Sequence, residues 1–151
     1  MARPSLYEFA GGGDAFLALA AATHERCLAD PELNHPFSNH VRPGHTERLA
    51  AYWAEVLGGP PRYSSGFGGH SGMLAIHAGE GAPDEMGDRF AACFIAAMDD
   101  AQLPDDADFR AAMSAYIQWA TREVNSYSPP GTRVAPDQAM PHWSWDGLVA
   151  T

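Results

Sequence analysis

Three histidines on separate predicted helices are the side chains of this chain best suited to chemistry. His77 stands in an apolar stretch that ends at glycines 79 and 81, and glycine directly after an apolar helical turn indicates the end of a helix. His24 and His45 fall on the apolar faces of two other predicted helices. Neutral imidazole nitrogens bind iron and zinc. An apolar interior that collects three imidazoles therefore predicts a metal or a metal-containing cofactor.

Three kinds of protein are compatible with these histidines. A haem protein needs one of them as an axial ligand to iron. A non-haem helical metalloprotein would take all three as ligands of one zinc or iron ion, although the chain lacks the His-Glu-x-x-His pattern of many zinc enzymes. In a helical interaction module the histidines would be hydrogen-bonded structural residues, which suits a residue type of intermediate burial. The histidines alone leave all three readings open.

Helix-type spacing of apolar residues dominates the chain, and no stretch alternates with the period of a β-strand. Asp14, which follows three glycines, is the predicted N-cap of the first long helix. A helix of only one or two turns is expected around His77, after a glycine- and serine-rich stretch. Four long amphipathic helices are predicted, over residues 14–30, 45–57, 83–103 and 105–127. We therefore expect an all-α packed domain.

The length of the chain fits one domain with a short extension. A chain of 151 residues can bury about 70% of the surface that it would expose when unfolded. We expect this domain to span residues 1–127. Prolines recur from Ser128 onward, and they predict an extended tail over 128–151 that packs on the domain or trails from it. Cys27 and Cys93 lie on apolar stripes and are expected to be buried free thiols.

The charge of the chain argues against nucleic acids and anionic membranes as partners. The net charge is −10, and all nine basic residues are arginine. Nucleic acids and anionic membrane surfaces are bound by basic patches, which this composition does not favour. The chain has no apolar run of transmembrane length, and its first residues do not form a signal peptide. We therefore expect a cytoplasmic protein that binds neither nucleic acid nor membrane.

Arg48 and a group of aromatic residues would suit a flat, anionic cofactor. Arg48 lies one turn after His45 and could reach a haem propionate, or it could be a solvated surface arginine. The aromatic residues could wall a porphyrin or form an ordinary core. These aromatic residues are Phe16, Phe37, Trp53, Phe90, Phe94 and Trp119. Both features are compatible with haem, and neither excludes the other readings.

Several short motifs, in their order and spacing, resemble the truncated haemoglobin family. The resemblance covers roughly residues 5–127 and is closest in form to group II of that family. The first part includes Leu-Tyr-Glu-Phe-Ala-Gly-Gly at residues 6–12, then Phe16, then Asp-Pro-Glu-Leu at 30–33 leading to Phe37. The second part includes Leu-Gly-Gly-Pro-Pro-Arg-Tyr-Ser at 57–64, then Gly69-His70, then His77.

The resemblance implies a two-over-two helical sandwich around haem b, with His77 as the proximal ligand of the iron. It implies that Phe37 packs on the porphyrin and that Arg48 pairs with a propionate. The distal pocket positions of the family fall on His24, His45, Leu49 and Phe90, and positions at the haem edge fall on Tyr63 and His70.

Two distal positions depart from the group II pattern. His24 stands where members commonly carry a tyrosine, and Phe90 stands where they commonly carry a tryptophan. Phenylalanine cannot donate a hydrogen bond. His24 and His45 are therefore the expected distal donors, and either of them could instead bind the iron directly.

The resemblance predicts a haem protein that binds dioxygen or another small diatomic ligand at iron, as in oxygen transport. Peroxidase-like turnover or nitric oxide detoxification is a further expectation, in which His24 or His45 acts as the catalytic proton donor or acceptor. The chain has no flavin- or nicotinamide-binding motif, so a reductase would have to be a separate protein. The sequence leaves the oligomeric state and the physiological role open.

Overall fold

Helices form nearly all of the regular structure. The computed structural model describes residues 3–33, 44–79, 81 and 83–149. One short antiparallel pair, β1 (Trp143–Ser144) with β2 (Gly147–Leu148), lies near the end of the chain. The helices among the described residues are α1 (Leu6–Ala10), α2 (Gly13–Ala29), α3 (His45–Val56), α4 (Arg62–Gly66), α5 (Gly69–His77), α6 (Asp84–Asp100) and α7 (Ala107–Ser126). The prediction of an all-α fold is confirmed.

Polar caps and acidic first turns explain several helix starts. The Ser5 hydroxyl accepts a hydrogen bond from the Glu8 amide at the start of α1, and the Asp106 carboxylate accepts one from the Phe109 amide at the start of α7. Such side chains satisfy amides that have no partner within the helix. The predicted cap of α2 was wrong: Gly12 is the N-cap and Asp14 lies in the first turn. From there its carboxylate interacts favourably with the positive end of the helix dipole instead.

Helix α5 differs from the sequence prediction. It runs from Gly69 to His77, which is nine residues, whereas one or two turns were expected. The glycine- and serine-rich stretch before it also contains α4, so this part of the chain is more helical than its composition suggests. Glycine has poor helix propensity, and contacts with other elements therefore have to stabilise α5.

The core forms where α2 packs on α3 and α6, and where α6 packs on α7. Phe16 and Phe94 are almost completely buried in it, and each buried ring contributes roughly 1.5–3 kcal/mol. The Trp53 ring meets Phe94 edge-on, with 4.8 Å between ring centroids. This packing fixes α2 and α3, the two helices that carry His24 and His45.

Both cysteines lie at the contact between α2 and α6. Cys27 is buried, Cys93 is half-buried, and neither forms a disulfide. The free thiols were expected, but the exposure of Cys93 was not. Burial raises the pKa of both thiols, and for Cys27 the neighbouring Cys93 adds to this effect. The same two helices are joined by a two-point ion pair between Arg26 and Asp100.

The segment after α7 packs back on the helices. Met140 is buried, and Trp145 Nε1 donates a hydrogen bond to the Pro4 carbonyl at 2.8 Å. The Trp145 ring also meets Phe9 edge-on at 5.1 Å, and Trp143 lies against Tyr116 at 5.8 Å. The expected extended tail therefore includes a small hairpin that covers α1 and α7.

The same segment holds both ends of α5. Near the start of α5, the Ser71 hydroxyl donates to the Ala135 carbonyl at 2.9 Å and accepts from the Gln138 amide at 2.8 Å. Beyond its end, the Gly79 amide donates to the Tyr127 carbonyl at 2.9 Å.

Among the described residues, no helix is long and apolar enough to cross a membrane.

The close approach at Gly59 gives a test of the packing after α3. An added Cβ there would lie 2.7 Å from Tyr7 Cδ1 and 2.8 Å from the Ala54 carbonyl oxygen. Because the backbone oxygen cannot move aside, we expect Gly59→Ala to reduce the free energy of unfolding by about 1–3 kcal/mol, measured by urea denaturation. Gly66→Ala is the matched control, since nothing lies within 4 Å of its added Cβ. Equal midpoints for the two variants would contradict the tight packing at Gly59.

Candidate functional site

His24 on α2 and His45 at the start of α3 lie side by side. Their ring centroids are 5.4 Å apart, and the ring planes are inclined by 56°. Both side chains are half-buried. The packing of α2 on α3 thus brings together two of the three imidazoles that the sequence singled out.

The third imidazole, His77, and Arg48 lie close enough to His45 to affect its charge. The pKa of His45 is lowered, chiefly because burial disfavours the charged ring, and further because His24, His77 and Arg48 surround it. Positive charges on those neighbours would repel a protonated His45. The site therefore favours the neutral form of His45, which has one N–H donor and one unprotonated nitrogen.

His77 is held in a geometry that suits a metal ligand. Its Nδ1 lies 2.9 Å from the Met73 carbonyl oxygen, one turn earlier in α5. A carbonyl oxygen can only accept, so Nδ1 carries the proton and donates it. The neutral ring then has its lone pair on Nε2, and the side chain is exposed. Metal-binding histidines usually have their second ring nitrogen engaged in this way.

Arg48, Leu49 and Phe90, three further predicted site residues, are half-buried. The Arg48 guanidinium lies 5.6 Å from the centre of the exposed Phe67 ring, and Leu49 packs against the buried core. The Phe90 ring is 6.3 Å from Trp53. Their predicted contacts with a cofactor or its ligand stay predictions. Phe37, the predicted aromatic contact of the porphyrin, lies outside the described residues.

Tyr63 and His70, the predicted haem-edge residues, lie in a buried polar cluster. His70 Nδ1 is 2.8 Å from the Tyr52 hydroxyl, and His70 Nε2 is 3.1 Å from Glu123 Oε1. The Tyr63 ring meets Tyr52 edge-on at 5.1 Å. Contact of Tyr63 or His70 with a haem edge stays a prediction. Tyr52 and Glu123 belong to this cluster, although nothing in the sequence around them indicates a site residue.

The geometry gives no support to a three-histidine metal site. In the part of the chain that the structure describes, no group of three His, Cys, Asp or Glu side chains is arranged to hold a metal ion. A haem iron, in contrast, takes four ligands from its porphyrin and needs one strong protein ligand. The unprotonated Nε2 of His77 is a nitrogen of the kind that such an iron requires.

Comparison with known proteins identifies the family of the chain. The sequence model of the bacterial-like globin family matches residues 5–122 of the chain. No curated protein matches the chain in sequence.

Solved haemoglobin structures match most of the chain. The haemoglobin of Chloroflexus aurantiacus is 28% identical, with 81% of this chain and 98% of that chain covered and a TM-score of 0.69. The thermostable haemoglobin of Thermobifida fusca is 28% identical, with 89% and 100% covered and a TM-score of 0.66. The group II 2-on-2 haemoglobin of Agrobacterium tumefaciens is 25% identical, with 82% and 95% covered and a TM-score of 0.69. The chain therefore belongs to the bacterial-like globin family and has the two-over-two helical fold of truncated haemoglobins, those of group II included.

Proposed function

We propose that this globin binds dioxygen or another small diatomic ligand at the iron of a haem b, with His77 as the proximal ligand. Membership of the globin family itself implies a haem cofactor and the binding of ligands at its iron. The observation that carries the assignment of His77 is the 2.9 Å hydrogen bond from its Nδ1 to the Met73 carbonyl. This bond leaves Nε2 unprotonated and accessible.

The residues present fit a haem. His77 supplies a neutral nitrogen, and the hydrogen bond to Met73 orients the ring and raises its basicity as a ligand. Arg48 supplies a cation near His45 that can pair with a propionate. Phe90 and Leu49 supply apolar surface. When bound, haem supplies an iron centre for small gases and for one-electron chemistry.

On the distal side, His24 and His45 are the donors that this chain offers to a bound ligand. Phe90 has no polar atom, so it can limit only the size and polarity of the pocket. The neutral form of His45 is favoured, and its N–H can donate to a ligand that gains negative charge. A hydrogen bond to a charged partner contributes about 1.5–3 kcal/mol. His24 and His45 would therefore slow the release of such a ligand.

The proposal includes peroxidase-like turnover or nitric oxide detoxification because the neutral imidazole of His45 is suited to proton transfer. An imidazole that is neutral at neutral pH can accept a proton from a substrate and return it, and the lowered pKa of His45 favours this state. Reducing equivalents would come from a separate reductase.

Removing the proximal ligand tests the assignment of His77. We expect the purified protein to show a Soret band with one haem per chain, and we expect His77→Ala to lose haem more than about tenfold faster. Even the outer partners of a metal-binding histidine change metal affinity by about 10–100-fold. Haem transfer to an apoglobin acceptor, followed by absorbance, measures the rate.

His142→Ala is the control, since His142 is an exposed histidine of the segment after α7. Unchanged haem loss in His77→Ala would remove His77 from the ligand role. A colourless, folded protein with one zinc or iron ion per chain would favour the non-haem reading instead.

The distal donors are tested separately. We expect His24→Leu and His45→Leu to raise the rate of oxygen dissociation from the ferrous protein by about 10–100-fold, the loss of one hydrogen bond to a charged partner. Stopped-flow absorbance measures this rate. Thr23→Val is the matched control, because the Thr23 hydroxyl already donates to the Leu19 carbonyl at 2.7 Å. If neither histidine variant releases oxygen faster than this control, the distal donor is not an imidazole.

A further inference from the structure

A hydrogen-bonded chain of side chains, buried at its centre, connects the two helices that carry His45 and His77 to a third helix. The Tyr52 hydroxyl of α3 is 2.8 Å from Nδ1 of His70 in α5, and Nε2 of His70 is 3.1 Å from Glu123 of α7. His70 is 4% exposed and Tyr52 is 7% exposed. Water therefore has little access to the bond between Tyr52 and His70, whereas the Glu123 side chain is 25% exposed. These three side chains, the Tyr52–His70–Glu123 chain, are linked through His70.

The direction of both hydrogen bonds follows from the chemistry of the groups. An ionised carboxylate only accepts, so His70 Nε2 carries the proton and donates it to Glu123. In the neutral ring, Nδ1 then accepts from the Tyr52 hydroxyl. Burial, with contributions from nearby Tyr116 and Glu123, raises the pKa of Tyr52, which keeps this hydroxyl protonated. Each polar group at the His70 ring has a partner in this single arrangement.

Tyr52 and His70 lie equally far along their helices from the two histidines of the candidate site, His45 and His77. Tyr52 follows His45 by seven residues on α3, and His70 precedes His77 by seven residues on α5. Seven residues are nearly two helical turns, or about 10.5 Å along the axis, and place both residues on the same helix face. Tyr52 and His70 thus join α3 to α5 about two turns away from His45 and His77.

Helix α5 needs such a connection because glycines flank it. Gly68 and Gly79 have φ of 110° and 75°, and an added Cβ at either would meet nothing within 4 Å. Glycine at these positions permits the chain to turn but does not fix the orientation of the helix. Apolar packing, as at the buried Leu74, is not directional. Hydrogen bonds at both nitrogens of His70 define the rotation of α5 about its own axis.

We propose that Tyr52, His70 and Glu123 are positioning residues that set the orientation of α5 and, through it, the direction of His77 Nε2 toward the iron. This inference rests on the proposed proximal role of His77. The Tyr52–His70–Glu123 chain acts through helix α5 and touches neither the iron nor its ligand. Loss of either end leaves His70 with an unsatisfied buried nitrogen, which is costly in an interior of low polarity.

The test compares conservative variants in the haem-loaded protein. Tyr52→Phe and Glu123→Ala each break one bond of the chain, Glu123→Gln keeps an acceptor oxygen, and Tyr116→Phe is the matched control. Tyr116 is another fully buried tyrosine, located on α7 outside the chain. Two quantities are measured: the iron–histidine stretching band of the ferrous protein by resonance Raman, and hydrogen exchange of the α5 amides.

We expect Tyr52→Phe and Glu123→Ala to shift or broaden the iron–histidine band and to speed exchange in α5 by about tenfold, the typical cost of one buried hydrogen bond. Glu123→Gln should restore most of the wild-type band, and Tyr116→Phe should leave both readouts unchanged. Faster exchange with an unchanged band would mean that the chain only stabilises the fold, and it would overturn the proposal. Failure of the proposed function has a different signature. In that case the iron–histidine band persists in His77→Ala, a variant in which the Tyr52–His70–Glu123 chain is intact.

Discussion

The hydrogen bond from His77 Nδ1 to the Met73 carbonyl is the interaction on which the proposed haem site depends. An imidazole can serve as a strong ligand only if one nitrogen holds a proton elsewhere and the other has its lone pair free. The helix itself provides the acceptor, because the carbonyl four residues earlier lies beside the ring. No partner from another element is needed to select this tautomer. What other elements must provide is the position of the whole helix.

Most of the contacts around α5 serve that purpose. Glycines with positive φ stand on both sides of α5, so the backbone next to the helix does not fix its orientation. The segment after α7 therefore contacts Ser71 near one end and Gly79 beyond the other, while His70, in the first turn of α5, connects the helix to α3 and α7. This explains why a segment rich in proline returns to the helices. It also explains why a helix with two glycines, Gly69 and Gly72, is nine residues long.

The apolar stripes predicted the four long helices, and the residue types predicted which imidazoles would converge. His24 and His45 could be paired in this way because each falls on the apolar stripe of its helix. The length of α5 could not be predicted, since its glycines lower local helix propensity and the contacts of His70 and Ser71 that compensate are distant in sequence. Glu123 has the sequence context of an exposed helical carboxylate, and only the packing of α7 on α5 reveals its bond to His70, 53 positions away.

In the proposed site, the same constraint on imidazole nitrogens applies to the distal side, with the opposite outcome. His24 and His45 lie 5.4 Å apart, and burial together with His24 lowers the pKa of His45. A neutral imidazole has one donor and one acceptor, so its tautomer decides what it does. With the N–H toward the pocket it stabilises a ligand that gains negative charge; with the lone pair toward the pocket it competes for the iron. A tyrosine hydroxyl at this position can rotate to donate, whereas an imidazole has to exchange a proton. If the distal pocket is as proposed, His24 in place of the tyrosine that the family resemblance leads one to expect makes distal chemistry depend on the partner of the second ring nitrogen.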